Sequence, residues 1–382
     1  MSQMPHVLAK SRADSPSAVA SPLEKHMALN YFKQGQFAQL EACCQALSKR
    51  YPKDGFGWQL LGLSIKMQGR DADAVPALQT AARLLPNDWQ SHVNLGSAHL
   101  ALGKLGAAEA CFTRALALAP DSLKALDTLG DIQRRLGKTE AALATFQRRL
   151  AMTPDDGHSQ HMVAMLSGQQ TAGAPADYVS RTFDEYAEHF DAHLTAVLQY
   201  TVPALIRDAL ASHAPAPAAQ WDVLDLGCGT GLVGDVISPW ARKLVGVDLS
   251  AKMLVKAQAR QLYQDLVCAD LLSMMRAAPA ASFDLIVAGD VFVYIGQLDE
   301  LINQAKRLLR TDGLFVFSTE TLADEASTQP YHLQTTGRYS HAPDALLQQA
   351  AQEGFTVLST TNAILRMDGS APVQGQISVW RA

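Results

Sequence analysis

VLDLGCGTG occupies residues 223–231 and joins the pattern of a buried strand to a glycine-rich turn. The apolar residues before the turn predict a strand of a parallel sheet, and Leu232 begins a helical pattern after it. Glycine allows unusual backbone dihedral angles and lets the chain pass close to a ligand. A helix that begins just beyond such a turn leaves free backbone N–H groups at the edge of a pocket. The stretch therefore predicts a binding site for a nucleoside cofactor.

Asp248 ends the next predicted strand, and its carboxylate suits the two neighbouring hydroxyls of a ribose. Two cofactor classes compete for such a site. Residues 229–234 match the GxGxxG fingerprint of dinucleotide binding, which is weak evidence on its own. Asp225, two residues before the first glycine of the turn, indicates a class of cofactor other than the dinucleotides. A nicotinamide or flavin enzyme stays the alternative on the glycine pattern alone.

The acidic residue and the alternating glycines of 225–231 resemble the acidic-x-Gly-x-Gly-x-Gly signature of class I S-adenosylmethionine-dependent methyltransferases. The resemblance implies S-adenosyl-L-methionine as the cofactor and a Rossmann-like, seven-stranded α/β domain. Strands alternate with helices after residue 221, which indicates a parallel sheet covered on both faces. The predicted strands are 222–226, 244–248, 265–269, 283–288, 313–319 and a C-terminal antiparallel pair near 355–365 and 374–380.

The same resemblance implies cofactor contacts at the carboxyl ends of the strands, where open α/β sheets bind ligands. The glycine turn would face the methionine end, Asp248 the ribose, and Met253 the adenine ring. Asp270 would meet the adenine amino group, although a helix N-cap is its other interpretation. An aromatic stripe at 178–190 resembles a segment that lies over the cofactor in many relatives, although such stripes usually pack in a core. The predicted cofactor-binding residues are Tyr186, Phe190, Asp225, Gly227, Cys228, Gly229, Gly231, Asp248, Leu249, Ser250, Met253, Asp270, Leu271, Ala288 and Gly289.

Methyl transfer from a sulfonium can depend largely on alignment and on the exclusion of water. A general base is needed only when the acceptor atom carries a proton with a high pKa. Relatives often carry a histidine where this chain has Val293, which puts a base from that position in doubt. The polar and aromatic segment 331–342 is predicted to be a loop over the acceptor pocket, and its Arg338 could pair with an acidic acceptor or serve at the surface. The predicted catalytic or acceptor-side residues are Asp290, Tyr294, Tyr339 and His341.

A 34-residue period runs through the first half of the chain. The residues that repeat with it are Pro52, Pro86, Pro120 and Pro154, then Gly35, Gly69, Gly103 and Gly137, and then Gly62, Gly96 and Gly130. Small residues let two antiparallel helices approach closely, and proline ends a helix before the next unit begins. The pattern resembles the tetratricopeptide repeat (TPR). The resemblance implies that the array binds a partner protein or mediates self-association, and the residues favour neither.

The predicted fold class is an α-helical TPR solenoid followed by a Rossmann-like α/β domain. A tail rich in serine, alanine and proline, 1–20, is predicted to be disordered. About four repeats and a capping helix occupy 21–167. A polar break with glycine and proline then starts a region of linker and lid helices, 168–220. The methyltransferase domain is predicted at 221–382.

Composition excludes several other classes of protein. The formal net charge of −5 gives no reason to expect nucleic-acid binding. Five cysteines without CxxC spacing indicate a reducing compartment rather than a disulfide framework or a zinc site. His189 and His193 have the spacing of metal ligands on a helix, but no third ligand accompanies them and no metal is predicted. Without a signal-peptide pattern or an apolar membrane segment, a cytoplasmic protein that does not enter membranes is expected.

Two functions from different classes follow from these patterns. The first is an S-adenosylmethionine-dependent methyltransferase whose repeats recruit or orient a small-molecule or protein-linked acceptor with a reactive oxygen or nitrogen. The second is a TPR interaction scaffold whose Rossmann-like half binds the cofactor without turnover. Asp225, the glycine turn and Asp248 favour cofactor binding in both cases. They do not discriminate between an enzyme and a scaffold.

Overall fold

Residues 19–322 and 329–382 are described by a computed structural model of the chain. The predicted disordered tail lies outside these ranges except for its last two residues. The chain divides into two units, one up to residue 149 and the other from residue 150 onward. The described part of the first unit is helical, and the second unit carries the sheet. The predicted fold class is therefore confirmed.

Helices of the first unit follow one another at the spacing that the repeats predict. Neighbours along the chain pack together, and α3 with α4 and α5 with α6 share large contacts. The bounds are α1 Pro22–Lys33, α2 Phe37–Arg50, α3 Gly55–Lys66, α4 Asp71–Leu84, α5 Trp89–Ala101, α6 Leu105–Leu118, α7 Leu123–Arg135 and α8 Thr139–Met152. The repeated prolines lie just beyond the ends of α2, α4, α6 and α8, because proline cannot continue a helix.

The repeated glycines are needed for two separate physical reasons. Gly69 and Gly103 lie between the two helices of a repeat with φ angles of +76° and +69°, a left-handed conformation that glycine adopts without a steric penalty. Gly130 lies instead where α7 meets α8. A Cβ atom added to Gly130 would lie 2.7 Å from Cζ of the fully buried Phe146. The first series therefore sets the turns, and the second sets the distance between helices.

Replacing Gly130 by alanine is expected to lower the free energy of unfolding by about 1–3 kcal/mol, because the new methyl group overlaps the Phe146 ring. Gly106 provides the matched control, since it also lies in a helix and an added Cβ would meet nothing within 4 Å. Gly106→Ala should leave stability unchanged or raise it by up to about 1 kcal/mol through helix propensity. Urea unfolding followed by circular dichroism measures both variants. Equal effects would contradict the close helix approach at Gly130.

Nine further helices belong to the described part of the second unit. Their bounds are α9 Gly157–Ser167, α10 Ala176–Tyr186, α11 Phe190–Ala196, α12 Val202–His213, α13 Leu232–Ile237, α14 Ala251–Ala259, α15 Leu271–Ala277, α16 Asp299–Leu308 and α17 Pro343–Gln352. Helix α9 is the predicted cap of the repeats, and in the second unit it packs against α10. Its capping role stays a prediction. Helices α10 and α11 carry the aromatic stripe that was predicted to cover the cofactor.

The sheet of the second unit contains the seven predicted strands in a largely parallel order. The bounds of all strands are β1 Trp221–Leu226, β2 Ala241–Asp248, β3 Asp265–Cys268, β4 Phe283–Ala288, β5 Leu309–Thr321, β6 Tyr331–Leu333, β7 Tyr339–His341, β8 Thr356–Asp368 and β9 Ala371–Arg381. Strands β3, β2, β1, β4 and β5 are parallel neighbours in that order. Strand β9 then pairs antiparallel with both β5 and β8, which confirms the predicted C-terminal hairpin.

Two short strands, β6 and β7, lie in the segment predicted as a loop, 331–342. They form an antiparallel hairpin, and β7 extends the sheet by pairing with Glu320 and Thr321 at the end of β5. Glu320 pairs with β9 as well, so β7 and β9 lie on opposite edges of β5, and the edge that β7 uses is open because the pairing with β4 stops at Phe317. Strands of only three residues carry no readable alternation, so their formation depends on this distant edge. The hairpin gives the predicted acceptor loop a fixed position on the sheet.

Both faces of the sheet are buried, as parallel sheets covered by helices require. Leu224 and Ile286 pack into the core on one face, whereas Val223 and Val287 pack into the core on the other. Successive side chains of a strand point to opposite faces, which explains the continuous apolar runs in these strands. The sheet order reverses between β1 and β4, with β2 on one side and β5 on the other. Ligands of such sheets bind at the carboxyl ends of the strands beside this reversal.

Candidate functional site

A cavity of about 870 Å³ lies at the carboxyl ends of β1, β2 and β4. Its volume is near the upper end of the range for ligand pockets, roughly 300–1,000 Å³, which suits a reaction between two molecules. Twelve of the predicted site residues line it. They are Tyr186, Phe190, Gly227, Cys228, Gly229, Asp248, Leu249, Asp270, Leu271, Gly289, Asp290 and Tyr294. The other predicted residues are Asp225, Gly231, Ser250, Met253, Ala288, Tyr339 and His341, and they lie outside this lining.

The glycine turn after β1 forms one wall of the cavity. Gly227, Gly229 and Gly231 have φ angles of +62°, +54° and +90°, which only glycine adopts readily. A Cβ atom on Gly227 would lie 2.6 Å from the Val291 side chain, so this glycine also permits close packing. A Cβ atom on Gly229 would meet nothing within 4 Å. Gly229 therefore presents bare backbone to open space, and a ligand can approach it closely.

Asp248 ends β2 beside the glycine turn. Its Oδ2 accepts a hydrogen bond from the Gly229 N–H at 2.9 Å, and its Oδ1 accepts one from the Ser250 N–H at 2.8 Å. A carboxylate oxygen accepts more than one hydrogen bond, so both oxygens can also accept from two adjacent hydroxyls. Burial raises the pKa of Asp248, while the backbone N–H groups of Ser250, Gly229 and Leu249 act against this shift. The position and acceptor chemistry of Asp248 thus fit a ribose.

Asp225 lies behind the glycine turn rather than on the cavity wall. Its Oδ2 accepts a hydrogen bond from the Tyr263 hydroxyl at 2.7 Å, whereas its buried Oδ1 has no partner among the described residues. Burial raises the pKa of Asp225 to about 7, and the neighbouring Asp248 adds to the shift. Tyr263 also packs against three glycines, Gly231, Gly234 and Gly246. Sequence analysis missed Tyr263, which supports the turn from beneath.

Of the residues predicted at the adenine end of the site, Asp270 lines the cavity, whereas Ser250 and Met253 lie behind its wall. Ser250 caps α14 by accepting from the Met253 N–H at 3.1 Å, and Met253 is fully buried outside the lining. Asp270 caps α15, since its Oδ2 accepts from the Ser273 N–H at 2.9 Å. The same side chain also lines the cavity. Helix capping and a place in the cavity wall are therefore compatible for Asp270.

Aromatic side chains of α10 and α11 cover the cavity. Phe183, Tyr186 and Phe190 line it together with Tyr294, and the ring centroids of Phe183 and Tyr294 lie 5.4 Å apart in an edge-to-face contact. Tyr186 and Phe190 make a similar contact at 5.2 Å. The ring of His193 shares a hydrogen bond with the Tyr186 hydroxyl. The aromatic stripe is therefore both a packed cluster and a wall of the cavity.

Two aspartates fasten these covering helices to the cofactor-side loops. Asp184 accepts a hydrogen bond from the Ser250 hydroxyl at 2.5 Å. Asp191 accepts from the Thr230 hydroxyl at 2.5 Å and from Arg260 Nη2 at 2.6 Å. Because Thr230 belongs to the glycine turn, the cover and the turn are held together by side-chain hydrogen bonds. We expect these contacts to order the cover over a bound cofactor.

Asp191→Asn is expected to weaken the binding of S-adenosylhomocysteine about three- to tenfold, because one charge-assisted contact to the cover is lost. Glu185→Gln is the matched control, since this exposed carboxylate lies 4.0 Å from Arg181 of its own helix. Isothermal titration calorimetry compares the two variants with the unmodified protein. Equal affinities for all three proteins would show that the Asp191 contacts do not contribute to binding.

A cluster of buried charges forms the other end of the cavity, next to Gly289. Arg366 donates to Asp290 Oδ1 at 2.6 Å and to Glu320 Oε1, and it is only 2% exposed. Arg338 Nη1 lies 3.6 Å from Glu320 Oε1 and beside the Tyr294 hydroxyl. Burial raises the pKa of Tyr294, whereas Arg338 lowers it. This end therefore offers polar groups to a second molecule beside the cofactor-side wall.

Tyr339 and His341 belong to β7 and are buried below the cavity lining. The Tyr339 hydroxyl shares a hydrogen bond with Thr171 at 2.5 Å. His341 Nε2 donates to the backbone oxygens of Ile295 and Gly296 at 3.0 and 3.2 Å. Burial lowers the pKa of His341 to about 4, so the ring is neutral at physiological pH. Both side chains position the hairpin and the segment that carries Tyr294.

Sequence analysis missed Glu320 and Arg366 and left the place of Arg338 open. Arg366 follows the apolar pair Ile364 and Leu365 near the end of β8, and Glu320 lies at the end of the buried part of β5, after the apolar run 314–317. A charge within a buried strand indicates a partner or a site, because an unpaired buried charge is costly. That signal was available for Glu320, whereas the mostly polar sequence of β8 gave no such signal for Arg366. The hydrogen bonds of Arg366 to Asp290 and Glu320 depend on the pairing of β9 with β5 and with β8, which could not be predicted from the sequence.

Comparisons with known proteins find two families that match parts of the chain. Residues 194–360 match a family described as a methyltransferase domain, and residues 89–155 match one described as a tetratricopeptide repeat. The chain is 35% identical over 152 residues to malonyl-[acyl-carrier protein] O-methyltransferase from Methylovorus sp. This match covers 37% of this chain and 49% of that protein. It is 37% identical over 106 residues to methyltransferase-like protein 27 from Homo sapiens, covering 28% and 43%. The chain thus spans about half the length of the curated relatives it matches.

Solved structures resemble about half of the chain. An S-adenosylmethionine-dependent methyltransferase from Mesorhizobium loti is 22% identical with a TM-score of 0.38, covering 46% of this chain and 96% of that one. The [4+2]-cyclase SpnF is 17% identical with a TM-score of 0.44, covering 56% and 98%. Within residues 19–322 and 329–382, every helix is too short or too polar to cross a membrane. Residues 194–360 are thus similar to S-adenosylmethionine-dependent methyltransferases, and a stretch similar to tetratricopeptide repeats precedes them.

Proposed function

We propose that the chain transfers a methyl group from S-adenosylmethionine to an oxygen or nitrogen atom of an acceptor. One observation carries the proposal. A single cavity joins the bare backbone of Gly229 and the carboxylate of Asp248 to the buried charges around Asp290. The first wall fits an adenosyl cofactor, and the second offers polar contacts to an acceptor. The second candidate, a scaffold that binds the cofactor without turnover, shares the first wall only.

The residues of the cavity would act mainly through alignment. When bound, S-adenosylmethionine would supply a methyl group on a sulfonium, and its transfer to an acceptor lone pair, with cleavage of the methyl–sulfur bond, would leave S-adenosylhomocysteine. Asp248 would hold the ribose, and the glycine turn would admit the methionine end. Phe183, Tyr186 and Phe190 would exclude water from the reacting groups, which favours charge neutralisation in the transition state. Near-attack alignment of about 3–3.5 Å then accounts for most of the acceleration.

The acceptor could be a small molecule or a group linked to a protein. A protein-linked acceptor is supported by the match to malonyl-[acyl-carrier protein] O-methyltransferase, whose name gives a substrate on a carrier protein. The repeats would recruit such a partner or join two copies of the chain. Light scattering on the purified chain tests self-association, since a monomer would leave partner recruitment as their role. The cofactor site itself requires neither arrangement.

Two measurements on the full chain test the proposal. Isothermal titration calorimetry should show binding of S-adenosylmethionine and S-adenosylhomocysteine, and weak or no binding of NAD. Incubation of the protein with cofactor labelled in its methyl group and with a cell extract should transfer the label to a product. Binding without label transfer in any fraction would favour the scaffold. Binding of NAD alone would overturn the cofactor assignment.

A further inference from the structure

Arg338 is held rigidly at the acceptor end of the cavity. It follows the turn of the β6–β7 hairpin, where the Gln334 N–H donates to the Arg338 backbone oxygen at 2.8 Å. His161 Nε2 donates to the neighbouring Gly337 backbone oxygen at 2.8 Å, and Gln170 Oε1 accepts from the Leu333 N–H at 2.6 Å. Helix α9 and the segment after it therefore fix both sides of the turn. A side chain carried on a fixed backbone loses less entropy when it binds a ligand than one carried on a mobile loop.

The two arginines of the cavity differ in how far the protein satisfies them. Arg366 is bonded to both Asp290 and Glu320, so its charge is neutralised within the protein. Arg338 lies 3.6 Å from Glu320, and among the described residues its other close polar contact is the Tyr294 hydroxyl. A guanidinium has several donors in a planar fork. Arg338 therefore keeps donors for a ligand although most of its surface is buried.

Its position on the sheet separates Arg338 from the cofactor-side wall. The glycine turn follows β1 and Asp248 ends β2, whereas Arg338 is carried by the hairpin that pairs with β5. Its neighbours are Glu320 at the end of β5 and Tyr294 after β4. The fork thus faces the part of the site that an acceptor would occupy. This part of the site provides one positive group with unused donors.

We propose that Arg338 binds a carboxylate of the methyl acceptor, an inference that rests on the proposed function. A planar guanidinium matches a carboxylate through two parallel hydrogen bonds, which a lysine cannot offer. A single negative charge suits the surroundings, because Glu320 at 3.6 Å would repel the second charge of a phosphate monoester. The aromatic walls formed by Phe183, Tyr186 and Tyr294 suit an apolar body attached to that carboxylate. The acceptor class is therefore a carboxylic acid with an apolar portion.

Calorimetric titration of the full chain, saturated with S-adenosylhomocysteine, tests this inference. The probes are benzoate and hexanoate, each compared with its primary amide. Both carboxylates should bind at least about tenfold more tightly than the amides. Arg338→Gln should remove this preference, and Arg338→Lys should keep only part of it. Arg207→Gln is the matched control, because Arg207 is exposed on α12 and pairs with its neighbour Asp208.

The outcomes separate this inference from the function on which it rests. Unchanged affinity for S-adenosylhomocysteine in Arg338→Gln, together with loss of the carboxylate preference, supports an acceptor role. Equal binding of acids and amides, or an unaltered preference in the variant, overturns it. A tenfold loss of cofactor affinity in the variant also overturns it, because Arg338 would then belong to the cofactor site. If S-adenosylhomocysteine fails to bind the unmodified chain, the proposed function fails first. Should Arg338→Gln not fold, Arg338→Lys decides, since it keeps the charge without the fork.

Discussion

Asp248→Ala is expected to weaken S-adenosylmethionine binding by about two orders of magnitude or more. Each charge-assisted hydrogen bond to a ribose hydroxyl contributes roughly 1.5–3 kcal/mol, and the alanine variant loses two. The variant also frees the Gly229 N–H, which Asp248 holds at 2.9 Å, so the glycine turn loses its lateral support. Asp248→Asn keeps one acceptor oxygen and should fall between the two proteins. Isothermal titration calorimetry with S-adenosylhomocysteine gives all three affinities.

Asp265→Ala is the control for this measurement. Asp265 begins the neighbouring strand β3, at the edge of the sheet away from the cavity, and pairs with Lys243 at 2.7 Å on the surface. The Asp265→Ala substitution removes the same charge and should leave cofactor affinity within about twofold of that of the unmodified protein. Circular dichroism would establish that the Asp248 variants keep their fold. Unchanged affinity in a folded Asp248→Ala protein would remove the ribose assignment.

Local patterns in the sequence were sufficient to predict the fold class and its main helices and strands. The 34-residue period depends on glycines with positive φ and on contacts such as Gly130 with Phe146, and both are short-range consequences of helix packing. The order of strands and helices after residue 221 predicts a parallel sheet because crossover connections allow few other arrangements. The cavity wall formed by Gly229 and Asp248 could be placed for the same reason. The switch point of such a sheet fixes where a ligand lies.

The acceptor end could not be placed in the same way, because it depends on pairings distant in sequence. Strand β7 forms where β4 leaves the edge of β5 open beyond Phe317, and this moves Tyr339 and His341 into buried structural positions. Arg366 reaches Asp290 from a position 76 residues further along the chain. Asp225 illustrates a different limit, since the signature suggested a wall of the site and the side chain lies behind it. A motif identifies a local backbone shape more securely than the direction of each side chain.

Arg366→Met is expected to destabilise the second unit by about 3–5 kcal/mol, because it leaves two buried carboxylates without their partner. Arg310→Met is a close control, since Arg310 also bridges two aspartates, Asp222 at 2.8 Å and Asp284 at 2.5 Å. The Arg310 side chain is 37% exposed, so its loss should cost no more than about 1 kcal/mol. Urea unfolding of both variants measures the difference. Similar losses would contradict the role of burial at Arg366.

The pH dependence of this destabilisation provides a second test. Burial raises the pKa of Asp290 and that of Glu320, to about 7 for Glu320, while Arg338 acts against both shifts; removal of Arg366 takes away the cation that is hydrogen-bonded to both carboxylates. A raised pKa means that the folded state tolerates the neutral acids at low pH. The free-energy cost of burying these side chains then grows as they ionise. The Arg366→Met defect should therefore be small near the ordinary glutamate pKa of 4.5 and should increase as the pH rises through about 7. Adding Asp290→Asn and Glu320→Gln to Arg366→Met should abolish the increase. A defect that is independent of pH would indicate lost packing rather than uncompensated charge.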